Sequence, residues 1–444
     1  MPLSGLEIYK LLPKTNCKEC GFPTCLAFAM KLAAKQAELS ACPYVSEEAK
    51  QALAAAAAPP IRLVTLGTER SFSVGNETVL FRHEKTFYHE PGLALRVKDT
   101  DPALEEKVAL VDGFSVERVG MNLVMNALAI ENASGDAGTF AGAVAKARAK
   151  TKLPFILMSD SPDAMKAALE KEGGMKPLVY AASDGNVEAM AALAKAHGAS
   201  LAVKAETLDG LAALTEKATA AGVEDLVLDP MPRHLAGALA AFTQLRRLAL
   251  KKNFRPLGYP IIAFAGNGAN SPEEETIAAA QAICKYAGII VLDHFDAADV
   301  YALMTLRQNI FTDPQKPIQV SPGLYEINSP KPGDPLMVTT NFSLTYFSVA
   351  GEVEGAGKPA WLLVTDSEGM SVLTAWAAGK FDAEVIAKAV KNFQVESKIN
   401  HHKIIIPGFV ATISGDLEEE LPGWEVLVGP REAVDIPAYL KLWQ

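Results

Sequence analysis

Residues 155–162 read Phe155-Ile156-Leu157-Met158-Ser159-Asp160-Ser161-Pro162. Four apolar residues suit a strand buried on both faces, and polar residues follow at its end. Ser161-Pro162 is then a helix N-cap with proline at the first helical position, where its missing N–H costs nothing. The unit recurs. Apolar runs lie near 108–111, 127–130, 178–181, 201–203, 225–228, 260–264 and 289–292, separated by stretches rich in Ala, Leu, Lys and Glu. With 155–158 these make eight strand candidates alternating with helices, over the length a (β/α)8 TIM barrel requires. An open doubly wound sheet is the alternative. The count, and the lack of a Gly-rich nucleotide loop after the first strand, favour the barrel. Upstream, residues 61–100 break into short strands at Arg62–Leu66, Phe72–Val74 and Thr78–Phe81, with Gly75-Asn76 as a hairpin turn.

Polar residues follow nearly every run: Asp112, Asn132, Asp160, Asp184, Glu206, Asp229, Asn267, and Asp293 with His294. In a barrel these positions ring the C-terminal mouth, where catalytic groups gather. Helix capping, solvation and partner contacts are the favoured explanation for them. The stretch Gly266 to Asn270 is a weak candidate for backbone anion binding.

Residues 312–335 are rich in Pro, Gly, Asp and Lys and read as a linker or an extended crossing segment. Beyond them, strand candidates at 336–340, 345–350, 361–365, 403–406 and 424–428 alternate with helices near 371–378, 382–397, 410–420 and 431–441. The pattern predicts a Rossmann-like α/β domain with a mostly parallel sheet. The expected layout is a cluster module over 1–58, a barrel over 61–320 and this domain over 321–444. Its strand-end loops are small and polar: Thr339-Thr340-Asn341, Thr365 to Gly369, Gly408 and Gly429-Pro430. They leave room for a broad flat ligand at the carboxyl ends of the strands, such as a nucleotide, a flavin or a corrin.

Four of the five cysteines, Cys17, Cys20, Cys25 and Cys42, fall within the first 42 residues. Nothing at Met1 to Glu7 resembles a secretion signal, so a disulfide framework is a poor reading and a cytoplasmic setting is expected. A single CxxC followed by CxxxxC and a distant fourth cysteine suits an iron–sulfur cluster, chiefly 4Fe–4S, with a thiolate on each iron. Zinc is the alternative, though its sites more often pair two CxxC motifs or mix in histidine. Leu3, Ser4, Glu7 and Ile8 fit a hydrophobic staple and capping box on a helix over 5–12. A second helix is expected from Cys25 to about Lys35, with Leu26, Met30 and Ala33 on one face, and a third from Ser46 through Ala54–Ala58. Cys284 reads as a small buried hydrophobe beside Ile277 and Ile283, and His83, His89, His401 and His402 as ordinary satisfied histidines.

The chain carries 42 Lys plus Arg against 52 Asp plus Glu, a net charge of −10. Without a basic stripe it is a poor candidate for nucleic acid. No run of 18 apolar residues suggests a membrane span.

The run Lys14-Thr15-Asn16-Cys17-Lys18-Glu19-Cys20-Gly21-Phe22-Pro23-Thr24-Cys25, closed by Cys42-Pro43, resembles the cluster module of one family. That family is the large (gamma) subunit of the corrinoid iron–sulfur protein of the reductive acetyl-CoA (Wood–Ljungdahl) pathway. The segments Val338 to Tyr346 and Thr365 to Trp376 resemble its corrinoid loops, and the order of the three parts is the same along the whole chain. The resemblance implies a methyl carrier with a 4Fe–4S cluster and a corrinoid. Its cobalt takes a methyl group from methyltetrahydrofolate on a separate methyltransferase and gives it to acetyl-CoA synthase. The cluster returns accidentally oxidised Co(II) to Co(I).

The implied partners are a small (delta) subunit in a heterodimer, the methyltetrahydrofolate:corrinoid methyltransferase, carbon monoxide dehydrogenase/acetyl-CoA synthase and a reductive activator. The implied corrinoid residues are Thr340, Asn341, Tyr346, Gly369, Met370, Ser371, Val372, Leu373, Thr374 and Ala433. There is no DxHxxG motif to offer cobalt a histidine. Thr374, in the loop that resembles the one beneath the corrin, is a poor ligand, which would ease reduction of Co(II). Two rival readings are an electron-transfer protein without a corrinoid, and a pterin-dependent methyltransferase using Asp112, Asn132 or Asp184.

Overall fold

The computed structural model describes residues 5–33, 37, 39–46, 49–50, 53, 59–313 and 317–443. Leu3 and Ser4, Lys35, Glu47 and Glu48, and the Ala54–Ala58 run lie outside the described residues. Two compact units divide the chain: Met1–Phe114 with Val124–Phe311, and Ser115–Leu123 with Thr312–Gln444. Among the described residues no helix is long and apolar enough to cross a membrane.

Eight parallel strands close into a barrel in the first unit: Gly92–Lys98, Ala127–Glu131, Phe155–Met158, Leu178–Ala182, Ser200–Lys204, Leu226–Asp229, Ile261–Phe264 and Ala287–Leu292. Closure is direct, with Ile289 to Leu292 in register with Gly92 to Leu95. A helix follows each strand, and Ser161 and Ser271 cap theirs through Ala164 N–H and Glu274 N–H, with proline in the first turn. Ala94, Ala129, Ile156, Tyr180, Val227, Phe264 and Val291 pack in one core with Val64, Leu66 and Val74 from the antiparallel hairpin Val64–Leu66/Phe72–Val74. That hairpin covers the N-terminal end of the barrel. A Cβ at Gly92 would fall 2.2 Å from Phe72, so only glycine lets the first strand start there.

The barrel count is right, but its first member was misplaced. Residues 108–111 lie in the helix Leu104–Gly113, not in a strand. Its buried residues Leu104, Val108 and Val111 follow helical spacing. The first strand is Gly92–Lys98 instead. Residues 78–81 form no strand, because the Leu80 and Phe81 N–H groups both donate to the Glu84 carboxylate, 3.2 Å each. Gly75 and Asn76 are left-handed but follow the hairpin rather than turning it.

The second unit is a five-stranded sheet in the order Gly323–Ile327, Ala360–Thr365, Leu336–Thr340, Lys403–Ile406, Glu425–Val428. All pairs are parallel except the edge strand Gly323–Ile327, which the sequence reading missed. Residues 345–350, expected as a strand, lie in the helix Ser343–Gly355. Parallel neighbours need a crossover, and this helix supplies the one between 336–340 and 360–365. Alternate residues face opposite layers: Leu336 and Val338 meet Phe381, Ile386 and Ile404, while Met337 meets Val353, Leu362 and Ile405. From 336–340 the chain steps to one side for 360–365 and to the other for 403–406. That reversal opens a crevice at the carboxyl ends of 336–340 and 403–406.

Candidate functional site

The cysteine module is organised around Cys25. It opens the helix Cys25–Ala33, and its backbone N–H donates to Asn16 Oδ1 at 2.8 Å. The Asn16 N–H in turn approaches the Cys25 sulfur at 3.4 Å. Lys14, Asn16 and Lys18 have positive φ (58°, 50° and 66°), as does Gly21 at 80°. Left-handed residues alternating along a loop turn successive N–H groups inward, a backbone arrangement that suits an anion. The Tyr44 hydroxyl donates to Glu19 at 2.8 Å and ties the segment after Cys42 to the CxxC loop.

Cys25 and Cys42 are buried with Ile8, Leu12, Phe28 and Val45, Cys20 is half-buried, and Cys17 is exposed. The helix turns Cys25, Phe28 and Ala29 inward, and leaves Leu26 and Met30 37% and 48% exposed. Among the described residues no three His, Cys, Asp or Glu side chains are placed to hold a single metal ion. A cluster asks for a different arrangement, one thiolate per iron, with hydrogen bonds to sulfur tuning its potential. The thiol set and the N–H···S contact fit such an anionic group.

In the second unit an open cleft of about 380 Å³ lies over the crevice where the strand order reverses. Thr339, Leu344, Ser371, Val372, Leu373, Phe409, Arg431 and Ala433 are among the residues lining it. Leu344, Leu373 and Phe409 are 52%, 46% and 42% exposed, an apolar rim without a cover. At the strand end beside the cleft, the Oγ1 of Thr339, which lines it, and the Oγ1 of Thr340 and Oγ of Ser343, which do not, are buried without a hydrogen-bond partner among the described residues. Buried hydroxyls are nearly always paired, so three orphans at one strand end are what a ligand with polar arms would satisfy. The apolar rim and hydroxyl floor fit a large flat ligand edged with amides.

Of the expected corrinoid residues, Ser371, Val372, Leu373 and Ala433 line this cleft, whereas Thr340 is fully buried at the adjoining strand end and is not part of its lining. Thr374 is exposed, its hydroxyl 3.0 Å from that of Ser371. The Asn341 amide is fully used: Oδ1 accepts from Ser367 N–H (3.0 Å) and Gly369 N–H (2.9 Å), and Nδ2 donates to Gln319 (2.8 Å) and Asp366 (3.3 Å). It holds the loop that leads through Met370 into the cleft. Tyr346 packs tilted against Tyr325 with centroids 4.9 Å apart, in the layer around Val353. Thr339 stands in the strand-end loop read from the sequence and Ser343 and Leu344 fall in the segment Val338 to Tyr346, but Phe409 and Arg431 are not singled out there. The one signal for them was their position at the small polar strand ends already noted.

The barrel mouth is filled by its own charges. Asp229 is fully buried and accepts from Tyr180 (2.6 Å), from both Arg233 terminal nitrogens (2.8 and 2.7 Å) and from Met231 N–H (2.9 Å). Burial and this carboxylate push the Tyr180 phenol up, so it stays a donor. Arg96 grips Asp293 with two nitrogens and reaches Asn267 at 2.7 Å. Lys204 pairs with Asp160 and Lys217 with Asp184, at 2.7 Å or less. Asn132 receives no cation and donates to Ser159 at 3.1 Å. Asp112 is not at the mouth. It sits in the helix Leu104–Gly113, bound to Arg70 and Thr151. Asp229→Ala should cost about 3 kcal/mol in denaturant unfolding, because it strands a half-buried guanidinium and a buried phenol.

His89 and His401 each bond a backbone carbonyl. Cys284 is half-buried rather than buried, and Ile277 is 58% exposed.

A family model described as CO dehydrogenase/acetyl-CoA synthase delta subunit matches residues 63–440, and one described as putative Fe–S cluster matches residues 12–44. The corrinoid/iron–sulfur protein large subunit of Moorella thermoacetica is 49% identical over 444 residues, 99% of each chain. The acetyl-CoA decarbonylase/synthase complex gamma subunits of Archaeoglobus fulgidus and Methanothermobacter thermautotrophicus are 36% and 35% identical. They cover 99% of this chain and 98% and 99% of their own. Among solved structures, dihydropteroate synthase from Xanthomonas albilineans in complex with 7,8-dihydropteroate is 18% identical, with a TM-score of 0.39. The match covers 56% of this chain and 100% of that one.

Proposed function

The chain belongs to the family of the corrinoid/iron–sulfur protein large subunit and the acetyl-CoA decarbonylase/synthase gamma subunits, and on that premise we propose that it is the methyl carrier of an acetyl-CoA pathway. The observation that carries this reading is the reach of the likeness. A relative named a corrinoid/iron–sulfur protein covers 99% of the chain, so the cysteine module and the C-terminal unit both fall inside it. The cofactors are a 4Fe–4S cluster and a corrinoid, and the carrier works with carbon monoxide dehydrogenase/acetyl-CoA synthase. The small subunit, the methyltetrahydrofolate:corrinoid methyltransferase, a reductive activator and a cytoplasmic setting complete the proposal.

When bound, the corrinoid supplies a cobalt centre able to accept and release a methyl group, and the cluster supplies single electrons. The chain's own residues bind and position. Cys17, Cys20, Cys25 and Cys42 ligate the cluster, with Asn16 fixing Cys25. Thr339, Thr340 and Ser343 would donate to the amide arms of a bound corrinoid, and Leu344, Leu373 and Phe409 would pack against its apolar surface and exclude water. Gly369 and Met370 carry the chain into the loop Ser371 to Thr374, which would contact the corrinoid, with Asn341 as the clamp that positions it. Thr374 would offer the cobalt at most a hydroxyl, a poor ligand. Ala433 leaves space at the rim, and Tyr346 supports the helix Ser343–Gly355 from behind. On this reading the barrel is a scaffold.

The test is transfer of labelled methyl from methyltetrahydrofolate to the full chain loaded with a cobamide. Label should travel with the chain only when the methyltransferase is added. Label acquired without it would favour the pterin-dependent methyltransferase reading, and no label under either condition would refute the carrier.

A further inference from the structure

We propose that the edge of the cysteine loop at Lys14, Cys17 and Lys18 is the docking surface for an acidic one-electron carrier protein. The proposal rests on the cluster assignment above. Among the four cysteines only Cys17 is exposed, so the cluster's shortest path to another protein runs through this edge. The charge here opposes that of the rest of the molecule. Residues 8–25 hold Lys10, Lys14 and Lys18 and a single carboxylate, Glu19, whereas the whole chain carries −10. All three lysines are exposed. Among the described residues none of their ammonium groups is paired with a carboxylate, and that of Lys14 lies 5.8 Å over the Tyr9 ring. Glu19 is engaged by the Tyr44 hydroxyl at 2.8 Å.

A local cationic edge on an acidic protein orients an incoming anionic partner and repels it elsewhere. Such steering raises association rates by about 10- to 1,000-fold and weakens as salt is added. The step is one electron: the carrier is oxidised by one electron, the cluster is reduced by one, and no proton moves.

The test uses the full chain carrying its cluster and a reduced, negatively charged ferredoxin as probe, with cluster reduction followed by electron paramagnetic resonance. In a Lys14→Glu/Lys18→Glu variant with the parent's iron content, the second-order rate at low salt should fall at least about tenfold. Its salt dependence should flatten, while reduction by photoreduced deazaflavin stays at the parent rate. A Lys14→Gln/Lys18→Gln variant, which keeps the polarity of the surface, should show a smaller fall of the same kind. Carbodiimide cross-links from the parent to the probe should map to Lys14 or Lys18. A charge-reversed protein with the parent's rate and salt slope, or cross-links confined to other lysines, would overturn the proposal. A parent that holds no iron would instead refute the cluster assignment, and this proposal with it.

Discussion

Cys20→Ala should strip or convert the iron–sulfur cluster while leaving the corrinoid bound. The two groups are assigned to separate units of the chain, and the change touches one ligand of the first. Cys20 is half-buried in the module core beside Phe22 and Leu32, so no solvent ligand replaces its sulfur easily. Losing an outer partner of a metal site costs about 10–100-fold in affinity or activity, and losing a ligand should cost more. Iron and sulfide content should therefore fall, and reductive reactivation of oxidised protein should slow by at least about 100-fold. Corrinoid absorption should match the parent, and methyl transfer from already reduced protein should survive. Normal reactivation in this variant would remove the role assigned to the cluster.

The second large effect has opposite signs with and without the ligand. Thr339→Val, Thr340→Val and Ser343→Ala remove three buried hydroxyls that have no partner in the protein. An unsatisfied buried polar group costs about 1–3 kcal/mol, so the combined variant should be more stable than the parent without corrinoid. The same hydroxyls are assigned to the amide arms of the ligand, and each lost hydrogen bond should weaken corrinoid binding by about tenfold. Denaturant unfolding of the ligand-free protein and corrinoid titration followed by absorption measure the two sides. A less stable variant, or one that binds as tightly as the parent, would mean that the hydroxyls serve the fold alone.

The cysteine spacing was legible because spacing along the chain is what a cluster requires, and no long-range contact is needed to see it. The barrel was legible as a count but not at its start. Leu93-Ala94-Leu95-Arg96-Val97 is a strand interrupted by a charge, and that charge is the arginine that grips Asp293 across the mouth. Val108 to Val111 looks like a strand because its helical spacing emerges only with Leu104 included. In the C-terminal unit Tyr346, Phe347 and Val349 favour a strand locally, and the need for a crossover overrides them. The edge strand Gly323–Ile327 hides behind the Pro- and Gly-rich composition of its surroundings. The hydroxyl floor of the cleft could not be read at all. Thr339-Thr340 in sequence is an ordinary polar strand end, and its orphaned hydroxyls exist only once the sheet has buried them.

The most direct test of the account is anaerobic purification of the full chain, followed by iron and cobalt analysis and an absorption spectrum of the same sample. The account predicts iron to cobalt at about four to one, with sulfide matching the iron and a corrinoid band overlying the broad cluster absorption. Iron without cobalt, in protein that also fails to take up added cobamide, would contradict it.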